Sequence, residues 1–161
     1  MKISFVLVAM LLASCQAAPR SIETGLVTRV TSGQTIEVRL NSQIQTVSLL
    51  GVEAPDFRQQ PWANQAKQRL QELIEGQMVR LEFAPTESTS YRSALVWFNQ
   101  TLVNEKLIEE GLVLVRSNVP SADGDRLAHA QEKARILGQG IWNPSQPMRQ
   151  TPTQFRTQLA T

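Results

Sequence analysis

The sequence is poor in the residues that build disulfides, zinc sites and thiol active sites. Its 161 residues include a single cysteine, Cys15, and a single histidine, His129. One cysteine excludes a disulfide framework, and because Cys15 precedes the predicted domain, zinc cages and thiol catalysis within that domain are excluded as well. His129 has no partner series and lies on a polar helix face, so we expect it at the surface.

The chain also has little excess of charge of one sign and no long apolar run. The formal net charge is +2, which by itself gives no argument for a nucleic-acid ligand. Loss of Lys2 with a leader would bring the basic count within one of the 14 acidic residues. The apolar run at residues 3–13 is too short to span a membrane as a helix, but it has the length typical of a signal peptide.

The segment Leu12-Ala13-Ser14-Cys15 resembles a bacterial lipobox. The resemblance implies cleavage before Cys15 and acylation at that residue. Several acyl chains would hold the protein on a bilayer, since each buried CH₂ contributes roughly 0.8 kcal/mol. We therefore expect an exported protein, lipid-anchored to a bacterial membrane in the periplasm or at the cell surface. The alternative is an ordinary secretory signal cut near Ala17 or Ala18.

Short apolar stretches separated by turn-forming residues predict a small β-domain. A helix that follows Pro61 and ends at Gly76 separates the first three predicted strands from the last two. The five strands are predicted at residues 26–30, 36–40, 44–50, 78–83 and 94–98. This order predicts a mainly β, α+β fold: an OB-fold, a five-stranded Greek-key barrel, with about three helices.

Composition divides the chain into four parts. These are a signal peptide at residues 1–14, a polar tether at 15–24, the barrel domain at 25–143, and a tail at 144–161. The tail is rich in Gln, Thr and Pro and has little apolar surface to offset the entropy of ordering. We therefore predict that it is disordered.

The candidate site is an acidic turn that follows the third predicted strand. Glu53 and Asp56 lie three residues apart on a turn that Pro55 stiffens. Such a pair can chelate a hard cation, act as an acid/base pair, or simply face water, and the two residues alone leave all three alternatives open. Trp62, near the start of the following helix, is a candidate for contact with a nucleic-acid base.

Several local motifs along residues 25–143 resemble the staphylococcal nuclease (thermonuclease) family. They are the turn at 31–35, the strand and turn at 49–56, the stretch at 91–94, the helix at 102–112 and the closing Ile141-Trp142. The resemblance implies calcium-dependent cleavage of phosphodiester bonds in DNA and RNA. It further implies two aspartates and a carbonyl on the ion, a glutamate that activates water, and two arginines on the phosphate.

Position by position, the resemblance assigns the family's roles to residues whose side chains differ from those of the family. The metal-binding positions are Gln34, Glu53 and Ala54, the catalytic positions are Asp56 and Arg92, and Ser48 stands where the family has its second arginine. Gln34 removes a formal charge from the metal site, and Ser48 removes one from the phosphate site. We therefore predict a degenerate site that requires no cofactor and would bind calcium only weakly, which leaves its status as an enzyme uncertain.

Three functions are consistent with these features. The one we favour is a lipid-anchored, monomeric, non-catalytic binding or assembly module at the cell envelope, whose partner is single-stranded nucleic acid or an envelope protein. The alternative is an active extracytoplasmic calcium-dependent endonuclease, which needs another arginine or lysine in the space vacated at Ser48. A plain nucleic-acid-binding barrel is the third, and its affinity would fall steeply with salt.

Overall fold

The computed structural model describes residues 20–85, 92–116, 119 and 121–160. The predicted signal peptide, Cys15 and residues 15–19 of the predicted tether lie outside these residues. The strands are β1 (Ser21–Ser32), β2 (Thr35–Leu40), β3 (Gln43–Leu49), β4 (Val52–Glu53), β5 (Met78–Phe83), β6 (Arg92–Phe98), β7 (Thr101–Leu102) and β8 (Leu114–Val115). The α-helices are α1 (Trp62–Ile74), α2 (Val103–Glu109), α3 (Ser121–Ile136) and α4 (Pro152–Leu159), with a 3₁₀ turn at Gly140–Trp142.

Five of the strands close into a barrel. They are hydrogen-bonded in the order β3-β2-β1-β5-β6, and a parallel pairing of β3 with β6 joins the two ends of the sheet. In β2, Ile36 and Val38 are buried whereas Arg39 between Val38 and Leu40 is exposed. This alternation turns the apolar side chains into the barrel. The prediction of a five-stranded, OB-like barrel of the α+β class is confirmed.

The first strand begins earlier than the sequence predicted. Ser21 pairs with Phe83 and Thr24 with Arg80 in an antiparallel ladder. The predicted tether is therefore wrong for residues 21–24, where the backbone is part of the barrel. The composition was misleading because the side chains of Ser21 and Thr24 face solvent.

The residue before the first strand is also fixed to the domain. Arg20 forms ion pairs with Asp123 on α3 and with Glu82 on β5. Since α3 and β5 belong to different parts of the fold, the chain is tied to the body of the protein from residue 20 onward.

Helix α1 packs its apolar stripe against the barrel, and a buried amide fixes α2. Ala66, Leu70 and Ile74 of α1 are buried.

In α2, Asn104 is fully buried. Its Oδ1 accepts a 2.9 Å hydrogen bond from the backbone N–H of Val96. Its Nδ2 donates to the carbonyl oxygens of Leu50, at 2.9 Å, and Ala94, at 3.2 Å. The amide thus links α2 to β6 and to the end of β3.

The C-terminal helix α4 contradicts the predicted disordered tail. Thr151 caps this helix: its side chain accepts a hydrogen bond from the backbone N–H of Gln154, whose side chain accepts one from the backbone of Thr151. Pro152 occupies the first turn and is buried. The low apolar content was misleading because Thr153 and Arg156 of the helix both bind the carboxylate of Glu53. No helix within the described ranges has the length and apolar content needed to cross a bilayer.

Candidate functional site

The acidic turn leaves the barrel at the end of β3 and is held by a second, two-stranded sheet. Gly51 has a φ of +74°, and a Cβ at this position would lie 2.7 Å from the side chains of Leu127 and Val119. Glycine is therefore needed both for the left-handed backbone and for the close approach. After it, Glu53 of β4 pairs with Leu114 of β8. The turn is fixed at both ends, so its two carboxylates have defined positions.

Gln34 organises the backbone of this turn. Its side-chain Oε1 accepts a 2.6 Å hydrogen bond from the backbone N–H of Ala54. Its own carbonyl oxygen accepts a 2.8 Å hydrogen bond from the backbone N–H of Leu49. The structure thus brings together the predicted metal-binding positions Gln34 and Ala54. The bond between them is a structural one, in which the single neutral oxygen of the amide holds a backbone N–H group.

Glu53 is paired with the C-terminal helix. Its Oε1 accepts hydrogen bonds of 2.6 Å from Nη2 of Arg156 and of 2.6 Å from Oγ1 of Thr153. The side chain of Glu53 is 13% exposed, whereas that of Arg156 is 44% exposed. A carboxylate that is largely removed from water therefore has its counter-charge from the same chain.

Asp56 is paired with a neighbour on its own turn. Its Oδ1 accepts hydrogen bonds from Nε of Arg58, at 2.9 Å, and from the Arg58 backbone N–H, at 3.1 Å. These bonds hold the pKa of Asp56 below its ordinary value of 3.8. Gln59 closes the turn by accepting from the Asp56 N–H and donating to the carbonyl oxygen of Gln150. Asp56 is therefore an ionised, hydrogen-bonded group, which makes it a weak proton acceptor.

The side chains at the acidic turn do not fit calcium. That ion takes six to eight oxygen ligands, with carboxylates foremost among them. Here the oxygen of Gln34 faces a backbone N–H, and Glu53 and Asp56 each face a guanidinium. In the described part of the chain, no three His, Cys, Asp or Glu residues gather as metal ligands. A cation would have to displace two arginines to reach the two carboxylates.

Arg92 lies on the wrong face of its strand for the predicted catalytic role. In the parallel pairing of β3 and β6, Arg92 is opposite Val47 and Ser93 is opposite Ser48. Because neighbouring residues of a strand face opposite sides, Arg92 shares the face of buried Val47, and Ser93 shares that of Ser48. The predicted catalytic role of Arg92 is therefore wrong for this arrangement.

The partners of Arg92 explain its position. Its guanidinium donates to Oε1 of Gln45, at 3.0 Å, and to Oε1 of Glu23, at 2.5 Å. It also stacks over the ring of Phe83, 3.3 Å from the ring centroid. Arg92 thus seals one end of the barrel core, where its charge is neutralised by Glu23.

A polar cavity of about 280 Å³ lies on the other face. We call it the serine cavity; its lining consists of Gln34, Ser48, Ser93, Arg116, Val119 and residues 49–52. Arg116 follows β8 and is exposed, and its backbone N–H donates a 2.9 Å hydrogen bond to the carbonyl oxygen of Gly51. An arginine therefore lines the same cavity as Ser48, although it comes from a different part of the chain than the family pattern implies.

Trp62 and Trp97 are both half-buried and differ in what surrounds their rings. Trp97 packs partly against the core, and the guanidinium carbons of Arg80 and Arg126 are 5.0 and 5.4 Å from its ring centroid. Trp62 lines a groove of about 430 Å³ together with Phe155 and other residues of the C-terminal segment. The contact of Trp62 with nucleic acid stays a prediction.

Sequence reasoning missed three arginines that define the site. Arg58 and Arg156 neutralise the turn, and Arg116 lines the serine cavity. A signal for Arg156 was present, because Thr151 and Gln154 have the spacing of a capping box and Pro152 lies at the first helical position. No sequence signal pointed to Arg116, since its place depends on how β8 pairs with β4.

Comparison with known proteins bears on the same region. Residues 46–144 match the family model described as staphylococcal nuclease homologue. The thermonucleases of Staphylococcus hyicus and Staphylococcus intermedius are each 31% identical to this chain over 129 residues, and the alignments cover 75% and 74% of this chain and 76% of each thermonuclease. Staphylococcal nuclease domain-containing protein 1 of Drosophila melanogaster is 26% identical over 149 residues, which are 80% of this chain and 16% of that protein. The predicted resemblance is confirmed, and the chain belongs to the staphylococcal nuclease family.

Proposed function

We propose that this chain is a non-catalytic member of the family, a lipid-anchored binding or assembly module at the cell envelope. The observation that carries the proposal is the pairing of both carboxylates of the acidic turn with arginines of the same chain, Glu53 with Arg156 and Asp56 with Arg58. Metal-assisted hydrolysis needs anionic oxygens that hold a cation and a carboxylate that takes a proton. Both groups are already engaged by permanent positive charges.

The phosphate side of the site is depleted in the same way. Ser48 is uncharged, and the guanidinium of Arg92 is engaged with Glu23 on the other face of β6. Removal of one donor aimed at transition-state charge costs on the order of 10²–10³ in rate. Losses at the metal site and at the phosphate site affect the same transition state, so they need not add, but either one is severe.

The location of the protein in the cell rests on the leader sequence. Lys2, the apolar run and the small residues before Cys15 support export and acylation at Cys15. The partner in this proposal is single-stranded nucleic acid or an envelope protein, and the protein acts as a monomer.

One observation favours a second candidate, an active extracytoplasmic calcium-dependent endonuclease. Arg116 lines the serine cavity beside Ser48, where a second cation is needed to stabilise charge on a phosphate. The candidate still requires a metal site, and Arg156 would first have to leave Glu53.

The two candidates are separated by hydrolysis of single-stranded DNA and RNA by the full chain, with millimolar calcium and with a chelator. We expect no calcium-dependent cleavage by the wild type. Cleavage that requires calcium and is lost in Asp56→Ala would overturn the proposal. A Gln34→Asp, Ser48→Arg, Arg156→Gln variant restores charge to the family positions and is the matched comparison. Activity in this variant alone would show that the missing charges, and no other defect, abolish catalysis.

A further inference from the structure

The outer surface of the barrel carries a row of side chains that crosses four strands. The antiparallel registers place Ile44 of β3 opposite Arg39 of β2. They also place Arg39 opposite Leu26 of β1, and Leu26 opposite Met78 of β5. Ile44 is 59% exposed and Met78 is 57% exposed, whereas Leu26 is half-buried between them. Neighbouring strands are about 4.8 Å apart, so the row is roughly 14 Å long.

Ile22 lies on the same face, near the beginning of β1. Gly25 and Val27 of this strand are buried, so residues 22, 24 and 26 point outward. Ile22 is 61% exposed. We call the surface formed by the row and Ile22 the outer sheet face. One exposed apolar side chain is ordinary, but three on one face of a sheet indicate an interaction surface.

The charges on the outer sheet face leave one arginine without a counter-charge. Arg80 and Glu82 of β5 pair with each other at 2.8 Å. Arg39 is exposed, and it forms no ion pair with a carboxylate of the residues that the structure describes. The acid on its own strand, Glu37, is half-buried. A guanidinium flanked by apolar side chains suits a lipid surface, where it meets phosphates while its neighbours enter the apolar layer.

The chain enters the domain at the edge of this face. Arg20 forms an ion pair with Glu82, and Glu82 is opposite Ile22 in the ladder of β1 and β5. Cys15 precedes Arg20 by only five residues. With acyl chains on Cys15, Ile22 is therefore among the side chains of the domain that lie nearest to the bilayer.

The other surface beside Arg20 is the start of α3. There Asp123 pairs with Arg20, and Asp125 is exposed. Acidic side chains are repelled by anionic lipids. The apolar Ile136 of this helix is 76% exposed, but it lies at the far end, roughly 16 Å from Asp125. Of the two surfaces, the outer sheet face therefore matches a lipid surface and the start of α3 does not.

We infer that the outer sheet face docks on the bilayer that holds the acyl chains. Ile22, Ile44 and Met78 enter the boundary between headgroups and acyl chains, and Arg39 binds lipid phosphates. Because the anchor makes docking an intramolecular event, a small apolar surface suffices. The inference rests on the proposed function, since it requires the acyl anchor. It adds a second membrane contact, which fixes the orientation of the domain.

The test uses the full acylated chain in vesicles of phosphatidylethanolamine and phosphatidylglycerol. A fluorophore on one introduced cysteine reports contact with brominated lipids, which quench it. Ile44→Cys and Met78→Cys place the label on the outer sheet face. Ile136→Cys places it at another exposed isoleucine, and is the matched control for the apolar character of the label. We expect strong quenching at the two positions on the face and little at the control position.

Substitutions on the face test whether its side chains cause the docking. The reporter is a label at Thr24→Cys, an exposed position of the face outside the apolar set. Ile44→Ser combined with Met78→Ser should lower the ratio of docked to undocked protein about tenfold or more, because polar groups replace carbon atoms that enter the lipid. Ile136→Ser is the control and should leave the quenching unchanged. Arg39→Gln should lower the ratio less than the double variant does.

Equal quenching at Met78→Cys and Ile136→Cys would overturn the inference, and so would quenching that the double variant leaves unchanged. Protection of the face from iodide without quenching by brominated lipid would assign the face to a protein partner, and would also overturn it. The mass of the purified chain shows whether Cys15 is acylated. A mass without acyl chains would refute the anchor of the proposed function itself, and the docking with it.

Discussion

Arg156 and Glu53 are 103 residues apart in the chain and joined by a 2.6 Å hydrogen bond. The contact places a guanidinium against a carboxylate to which the family resemblance assigns a metal-binding role. A guanidinium cannot dissociate from the protein or be removed by a chelator. The acidic turn therefore has a permanent counter-charge, and its conformation does not depend on the supply of a divalent ion.

Arg156→Gln should loosen α4 without unfolding the domain. The ion pair is partly exposed, and such pairs contribute about 1 kcal/mol or less. A local loss of about 1 kcal/mol corresponds to roughly fivefold faster amide hydrogen exchange in residues 152–159. Hydrogen exchange followed by mass spectrometry measures this change. Arg149→Gln, at an exposed arginine of the same segment, is the control and should leave the exchange rates as they are.

Equal protection of α4 in the wild type and in Arg156→Gln would show that Thr153 and Gln59 suffice to dock the helix. The double variant Thr153→Ala, Arg156→Gln would then be the decisive comparison, because it removes both donors to Glu53.

Glu110→Gln should remove a stabilising term that depends on pH. Arg69 on α1 donates two hydrogen bonds to Glu110, of 2.7 and 2.9 Å, and they lower the pKa of Glu110 below its ordinary value of 4.5. A lowered pKa in the folded state stabilises the fold above the ordinary pKa, and this contribution disappears as the pH falls. We expect Glu110→Gln to cost about 1 kcal/mol at pH 7, and the loss should become smaller at pH 3, because the contribution fades as the pH falls from 4.5 through the lowered pKa of the folded state.

Urea unfolding of both proteins at the two pH values measures this difference in the free energy of unfolding. Glu132→Gln is the control, because the pair of Glu132 with Arg135 is exposed on both sides. A loss for Glu110→Gln that is the same at pH 3 as at pH 7 would contradict the assigned role of the charge.

Asn104→Ala should be among the most destabilising single substitutions. It leaves the N–H of Val96 and the carbonyl oxygens of Leu50 and Ala94 without the partner they have now. Buried groups that lose their hydrogen bonds, together with the cavity left behind, cost about 2–4 kcal/mol. The free energy of unfolding in urea gives the value. The exposed Asn64 on α1 provides the control, and its replacement by alanine should change the stability by less than about 0.5 kcal/mol.

Gly111→Ala and Gly76→Ala separate backbone strain from steric overlap. Both glycines have positive φ, of +65° and +77°. A Cβ at Gly76 would have no heavy atom within 4 Å, whereas one at Gly111 would lie 2.2 Å from the carbonyl oxygen of Gln139. We expect a loss of about 1 kcal/mol for Gly76→Ala, from the left-handed conformation alone. The loss for Gly111→Ala should exceed it by about 2 kcal/mol or more, because the 3₁₀ turn must move. Equal melting temperatures of the two variants would refute this account.

Hydrophobic patterning was sufficient to predict the barrel, because the barrel forms by burying the apolar face of each strand. In β2 the alternation of Ile36, Val38 and Leu40 with polar neighbours defines an inner face, and a shift of one residue would expose all three. The turn-forming residues between the strands and the glycine after α1 likewise predicted, from neighbouring residues alone, where these elements end. The order of elements therefore followed from the sequence.

The face of Arg92 could not be predicted in the same way. The stretch of residues 91–94 combines Tyr, Arg, Ser and Ala, which gives no clear apolar alternation. A register uncertainty of one residue exchanges Arg92 with Ser93 between the two faces of β6. The pairing of Ser93 with Ser48 in the structure fixes the register and places Arg92 on the opposite face.

The tail and the charge pairs escaped prediction for a different reason. Glu53 and Arg156 are far apart in sequence, and an ion pair leaves no periodic trace in the chain. Low apolar content argued for a disordered tail, yet a capped helix with a few specific polar contacts docks on the acidic turn.

The clamp on Arg20 has a consequence for how the domain would sit on a membrane. Arg20 is tied to α3 and β5, so only residues 16–19 separate the body of the protein from Cys15. Cys15 and Arg20 are five residue steps apart, and an extended peptide gains at most about 3.5 Å per step, so this segment reaches roughly 17 Å, which is less than the width of the domain. With acyl chains on Cys15, the barrel would be held close to the lipid surface. One side of the domain would face the headgroups, and a ligand would have to approach from the opposite side.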